Sequence, residues 1–194
     1  MYPQITESGA WDYNSSDHDE SRFFDQNLID LILVFLNDKS TKSILDFGCS
    51  TGYYLSYIKS KKKNYNLLGV EPHILNRSDL HFPNIVEYDL AKPFDLDMKG
   101  EIICLEVLEH INPLYEEQSI QNLITHCNKY LFISWACIGQ GGWGHINEKN
   151  LDDVINLFTK RGFSYLERES TEIREMATLA WFKTNFCIFE KITK

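Results

Sequence analysis

Ile44-Leu45-Asp46-Phe47-Gly48-Cys49-Ser50-Thr51-Gly52-Tyr53-Tyr54-Leu55 is the stretch on which the reading of this chain turns. Ile44 and Leu45 read as a buried strand, Asp46 as an acid at its end, residues 47–52 as a glycine turn, and Tyr53 onward as a helix. Glycine lacks a Cβ, so its backbone takes positive φ and approaches a ligand at little steric cost. A turn that runs into a helix N-terminus also offers unpaired N–H groups to an acceptor. Two phosphate-binding patterns fit poorly. A dinucleotide fingerprint needs G-x-G-x-x-G, and Ser50 stands between Gly48 and Gly52. A phosphate loop needs Lys after its last glycine, and Tyr53 is there instead. What remains is apolar-apolar-Asp-x-Gly-x-Ser-x-Gly, against the plainer alternative of a turn that only links strand to helix.

Outward from this stretch, strand and helix signals alternate. Leu67-Leu68-Gly69-Val70 is a continuous apolar run, as in a strand buried on both faces of a parallel sheet. It ends at Glu71-Pro72, and Glu71 lies 19 residues past Gly52. A carboxylate at that edge, about 20 residues past the turn, is placed to bind ribose hydroxyls. Residues 85–88 read as a third strand followed by Asp89, and residues 102–105 as a fourth running into Glu106–Ile111. A helix over 116–128, a strand over 130–135, a helix from Asn150 to Arg161, a strand over 163–167, a helix over 171–181 and a strand over 185–190 complete the pattern. Before the first strand, a helix starts at Ser21, capped by Asp19 or Ser21. The alternation predicts an α/β fold, a mostly parallel sheet with helices on both faces.

Composition sets the outer bounds. The chain has 194 residues, 43% of them hydrophobic, which suits one domain with a real core. No apolar run approaches the ~20 residues of a membrane span. The start of the chain has no basic or apolar leader pattern. The formal charge is −9, and residues 1–20 hold five acids without a Lys or Arg. Nucleic acid is therefore a disfavoured partner. The five cysteines (49, 104, 127, 137, 187) form no C-x-x-C pair and read as buried free thiols in a reducing, cytoplasmic setting. No metal cluster is visible in the spacing. Residues 1–20 are expected to form a lid or flexible segment, with Trp11 and Tyr13 favouring the lid, and 21–194 a single domain.

The stretch 44–55 resembles motif I of class I S-adenosylmethionine (SAM) methyltransferases, with Ser50 in place of a common glycine. Residues 105–111, Leu-Glu-Val-Leu-Glu-His-Ile, resemble the segment after strand four in small-molecule methyltransferases of the ubiquinone-biosynthesis O-methyltransferase type. Residues 139–147 resemble the Gly-Gln-x-Gly-x-Gly-His-x-Asn loop of a set of bacterial and viral methyltransferase-like proteins. The resemblance implies a Rossmann-like, doubly wound seven-stranded sheet whose last strand is antiparallel. It implies SAM as cofactor and S-adenosyl-L-homocysteine as product, with Asp46, Phe47, Gly48, Cys49, Gly52, Leu105 and Glu106 around the methionine portion. Glu71 and Pro72 would hold the ribose, and Asp89 and Leu90 the adenine.

The expected reaction is methyl transfer to an O or N nucleophile of a small-molecule or glycan-type acceptor. A general base helps such a transfer, and histidine has the suitable unperturbed pKa. His145 is the first candidate and His110 the second. Trp11, Tyr13, Gln140, Trp143 and Asn147 are the candidate acceptor contacts, because a glycine-rich loop leaving a strand's C-terminal edge is where open α/β sheets bind ligands. A SAM-binding protein without catalysis, or an enzyme that cleaves SAM without methylating an acceptor, remains the alternative. Oligomeric state is not legible.

Overall fold

The computed structural model describes residues 4–12, 20–74 and 78–193. The main sheet contains β3 (Ser43–Phe47), β4 (Asn66–Glu71), β5 (Ile85–Glu87), β6 (Gly100–Leu105), β7 (Cys127–Ser134), β8 (Phe163–Tyr165) and β9 (Cys187–Lys191). Their spatial order is β5-β4-β3-β6-β7-β9-β8. The first five pair in parallel, and β9 runs antiparallel to both β7 and β8. This is the seven-stranded, doubly wound sheet with an antiparallel last strand.

Side chains alternate between two cores, as period-2 strands require. Leu45, Ile102, Cys104, Leu131 and Ile133 face one core, with Ile120, Leu123, Val154 and Phe158. Those four partners lie on α3 (Glu116–His126) and α4 (Leu151–Thr159). Ile44, Ile103 and Phe132 face the other, against α1 (Gln26–Asn37), α2 (Tyr53–Lys61) and the α5 (Glu167–Met176) and α6 (Phe182–Asn185) pair. All five cysteines are free, and only Cys137 is partly exposed. No helix among the described residues is long and apolar enough to cross a membrane.

Several boundaries differ from the sequence expectation: β7 starts at Cys127 rather than 130, β8 stops at Tyr165 and α5 starts at Glu167 rather than 171. One residue explains two further differences. The first helix starts at Gln26 rather than Ser21, after a 3-10 turn over Glu20–Phe23. Asp25, fully buried, caps it by accepting the Leu28 amide at 3.0 Å through Oδ1. Its Oδ2 accepts the amides of Thr178 and Leu179 at 2.7 and 2.8 Å. Those amides are thereby withdrawn from a helix, so the expected 171–181 helix ends at Met176 and restarts as α6. Residues 4–12 form a two-stranded hairpin, β1 (Gln4–Ile5) with β2 (Trp11–Asp12). It docks on the segment after β6: Asn112 donates its amide to the Ser8 carbonyl at 3.0 Å.

Candidate active site

The sheet reverses direction of winding between β3 and β6, and ligands of open α/β sheets bind at that point, beyond the strands' C-terminal ends. A cavity of about 640 Å³ opens there. One wall comes from the turn after β3. The amides of Gly48 and Cys49 donate to the Val70 carbonyl at 2.8 and 3.3 Å, so these donors close the seam with β4 rather than pointing outward. The contribution of Gly48 is space: its φ is +81°, and a Cβ there would lie 2.4 Å from Val107 Cγ2. Ser50, also at positive φ (48°), donates its amide to Glu71 Oε2 at 2.8 Å. The glycine turn thus fixes the β4 carboxylate on the cavity wall.

The opposite wall is built from three distant segments. Glu106 follows β6 with φ +54°, and its amide donates to Ser134 Oγ on β7 at 2.7 Å. Gln140 Nε2 donates to Glu106 Oε2 and Asn185 Nδ2 to Oε1, each at 2.7 Å. Burial pushes the Glu106 carboxyl up, and these donors oppose the shift. Glu109 is fully buried, with no side chain among the described residues donating to its oxygens and only the Glu109 and Ala136 backbone amides facing them at long or bent geometry. Burial first, and the charge of Glu106 second, push its carboxyl well above the usual range. His145 Nε2 stands 4.0 Å from Glu109 Oε1.

The His110 ring meets His145 edge-on, with centroids 4.8 Å apart, and Trp11 at 4.7 Å. Its Nδ1 is buried without a hydrogen-bond partner. Burial, then the neighbouring His145, push His110 down to about 4, so it is a neutral imidazole at pH 7. His145 Nδ1 lies 3.1 Å from Glu148 Oε1. Glu148 accepts the Gly139 amide at 2.7 Å and the Gly141 amide at 2.8 Å, which hold its carboxyl low. A charged carboxylate at that place favours the His145 tautomer protonated at Nδ1, leaving the Nε2 lone pair facing Glu109. One atom each from Glu109, His110 and His145 lie within 4.8 Å of one another, a group able to hold a metal ion.

A family model described as a methyltransferase domain matches residues 18–168. This chain belongs to that methyltransferase family. An uncharacterized protein of Methanocaldococcus jannaschii, MJ0638, is 28% identical over 105 residues, covering 54% of this chain and 46% of its own. The chain thus spans under half the length of that relative. Among solved structures, the sugar N-methyltransferase KedS8 of Streptoalloteichus shares the fold at TM-score 0.66 and 12% identity, over 98% of this chain and all of its own. The magnesium protoporphyrin IX methyltransferase of Synechocystis with bound SAM superimposes at TM-score 0.58 and 17% identity, over 86% of this chain and 79% of its own.

Of the residues expected at the site of this methyltransferase domain, most are brought together. Gly48, Cys49, Glu71, Pro72, Asp89 and Leu90 line the cavity on the β3–β4 side. Leu105, Glu106, His110, Gln140, Trp143, His145 and Trp11 line it elsewhere. Four do not line it. Asp46 is buried within β3, and Phe47 packs in the core against Phe94 and His126. Gly52 starts α2. Asn147 turns its side chain to Glu116 Oε2 at 2.8 Å and its carbonyl to Trp135 Nε1, so it ties the loop to the scaffold. Tyr13 lies outside the described residues. Sequence reasoning missed Glu109, Glu148, Asn185 and the cavity-lining Tyr54 and Trp181. Glu109 sits inside a motif already singled out, and Glu148 lies three residues past His145; their signals are legible only once the loop has closed.

Proposed function

We propose that the chain transfers the methyl group of SAM to an O or N nucleophile of a small-molecule or glycan-type acceptor. The observation that carries this is one cavity with the Glu71 carboxylate on β4 and the His110–His145 pair beyond β6 and β7. These edges stand three strand spacings apart, roughly 14 Å, the reach of an extended nucleoside–amino-acid cofactor. The volume suits a cofactor with part of an acceptor, since small-molecule sites run roughly 300–1,000 Å³.

The residues present fit that cofactor. Glu71, anchored by the Ser50 amide, offers a carboxylate for ribose hydroxyls. Asp89, whose Oδ1 accepts the Ala91 amide at 2.9 Å, stands on the same wall with Leu90 for the adenine ring. Gly48 lets the Val107 side chain pack against the turn, and the cavity beside Leu105 and Glu106 is left for the methionine portion. When bound, SAM supplies an electrophilic methyl carbon whose bond to sulfur breaks with the electron pair returning to sulfur. The chain's own residues position the acceptor and exclude water. Trp11, Gln140 and Trp143 border the acceptor space, and His145 is the residue placed to take the nucleophile's proton, ahead of His110, which burial holds neutral and weakly basic.

The decisive experiment incubates the protein with methyl-labelled SAM and separate pools of small metabolites, glycans and RNA. Label on a metabolite or glycan supports the reading. Tight SAM binding without turnover points to a non-catalytic binder, and cofactor cleavage without a labelled acceptor to a SAM-cleaving enzyme. Label on RNA, or no uptake of SAM in calorimetry, overturns the proposal.

A further inference from the structure

The cavity carries charge of one sign. Among the described residues that line it, Glu71, Asp89 and Glu106 are acids and none is Lys or Arg. Glu148 adds a carboxylate held low behind His145, and burial keeps His110 neutral. The chain as a whole stands at −9. An anionic ligand therefore meets like charge both on approach and in place, and is strongly disfavoured. One wall, by contrast, is aromatic. Phe182, buried, meets Trp181 at 5.8 Å between centroids, and Trp181 meets Phe23 at 6.3 Å. All three line the cavity, so one aromatic face runs from its floor to its mouth, where Phe23 is 50% exposed. Trp143, 48% exposed, lines the cavity from the loop after β7, and Ile138 and Ile146 on that loop are exposed as well. Large apolar side chains scattered singly on a surface are ordinary; several grouped at one cavity mark a binding surface.

We infer that the methyl acceptor is an amphipathic molecule without an anionic group: its nucleophile enters beside His145, and its apolar body lies out along Phe23, Trp181 and Trp143. This names the acceptor class for the proposed methyl transfer and rests on that reading. Volume sets the division. A cavity of about 640 Å³ takes the cofactor and only part of an acceptor, so the rest projects through the mouth onto those rings. Half-exposed indole and phenyl rings gain most from an apolar partner, since an aromatic side chain buries about 150–250 Å² when fully covered. Phosphate, carboxylate and nucleotide-linked acceptors are disfavoured, because no cation among the described lining residues would face them. A glycan fits less well than an apolar body. Its hydroxyls need polar partners when covered, and the Gln140 amide is already spent within the protein. Gln140 Nε2 donates to Glu106, and its Oε1 accepts from the Cys137 amide at 3.3 Å and from Asn185 Nδ2 at 3.2 Å.

The test is calorimetry on the full chain, with and without S-adenosyl-L-homocysteine, using phenylbutylamine, phenylbutanol, phenylbutyrate and methyl glucoside as probes. The amine and the alcohol should bind to the product-loaded protein, the carboxylate at least ~10-fold more weakly, and the glucoside without detectable heat. Phe23→Ala and Trp143→Ala should each weaken the amine and the alcohol ~5–10-fold, and weaken S-adenosyl-L-homocysteine less. Both side chains are half exposed, so the variants should keep the wild-type circular dichroism spectrum. A carboxylate that binds as tightly as the amine, a glucoside that binds more tightly than the alcohol, or unchanged probe affinity in both variants overturns the inference. Failure of the amine and the alcohol to bind overturns it too. Cofactor affinity measured on the same samples keeps the two readings apart. Product uptake without probe uptake sinks the acceptor class alone, whereas a protein that takes up neither SAM nor its product loses the methyl-transfer reading and the acceptor class with it.

Discussion

The two walls of the cavity are built in different ways. The β3–β4 wall is local: Gly48, Cys49, Ser50 and Glu71 lie on adjacent parallel strands and are locked by a handful of backbone bonds. The β6–β7 wall gathers Trp11, Glu106, Glu109, His110, His145, Glu148 and Asn185 from across the chain, and holds them by side chains. The first wall suits a ligand that never changes, because backbone geometry cannot be retuned by point substitution. The second suits a variable acceptor, because its chemistry is replaceable one side chain at a time.

The sharpest way to break this contrast is Gly48→Ala. The left-handed backbone (φ +81°) and the 2.4 Å approach to Val107 both resist a Cβ. The sum should cost roughly 2–5 kcal/mol of stability, read by urea denaturation; a loss below about 1 kcal/mol would mean the turn is adaptable after all. His145→Ala acts on the other wall. Transfer should slow ~10²-fold, about 2.7 kcal/mol of barrier, while SAM affinity stays near normal. A variant that turned over at the wild-type rate would make His145 a loop residue. Glu71→Ala should instead weaken SAM binding by about 1–3 kcal/mol and leave the fold intact, with calorimetry as the check; unchanged affinity refutes the ribose role. The mildest expected change is Gly139→Ala. Its φ of +86° matches that of Gly48, yet a Cβ there meets nothing within 4 Å. Only the backbone strain remains, about 1–2 kcal/mol. If Gly139→Ala proved as damaging as Gly48→Ala, close packing could not be what distinguishes the two glycine turns.

Legibility in the sequence divides along the same line. The strand-turn-helix at 44–55 and the acid 19 residues beyond it were readable because β-α-β units are contiguous and their spacing is set by helix and strand lengths. His145 and Gln140 were readable as loop chemistry, but their partners were not. Glu148 looked like an ordinary loop acid until the Gly139 and Gly141 amides closed on it. Asn185 reaches Glu106 across 79 residues of chain. The first helix began five residues late because Asp25 found two further amides at residues 178 and 179, which no local capping rule can anticipate.

By itself the sequence determined the alternating α/β order, the parallel sheet with its glycine turn and the carboxylate at the second strand's edge, since each follows from periodicity and short spacing. Only the tertiary structure decided that a fully buried Glu109 faces two histidines from different loops, and that Trp11 packs on the His110 ring. The physical reason is that a side chain's partners and desolvation depend on which distant segments pack around it, and pattern along the chain carries no record of that.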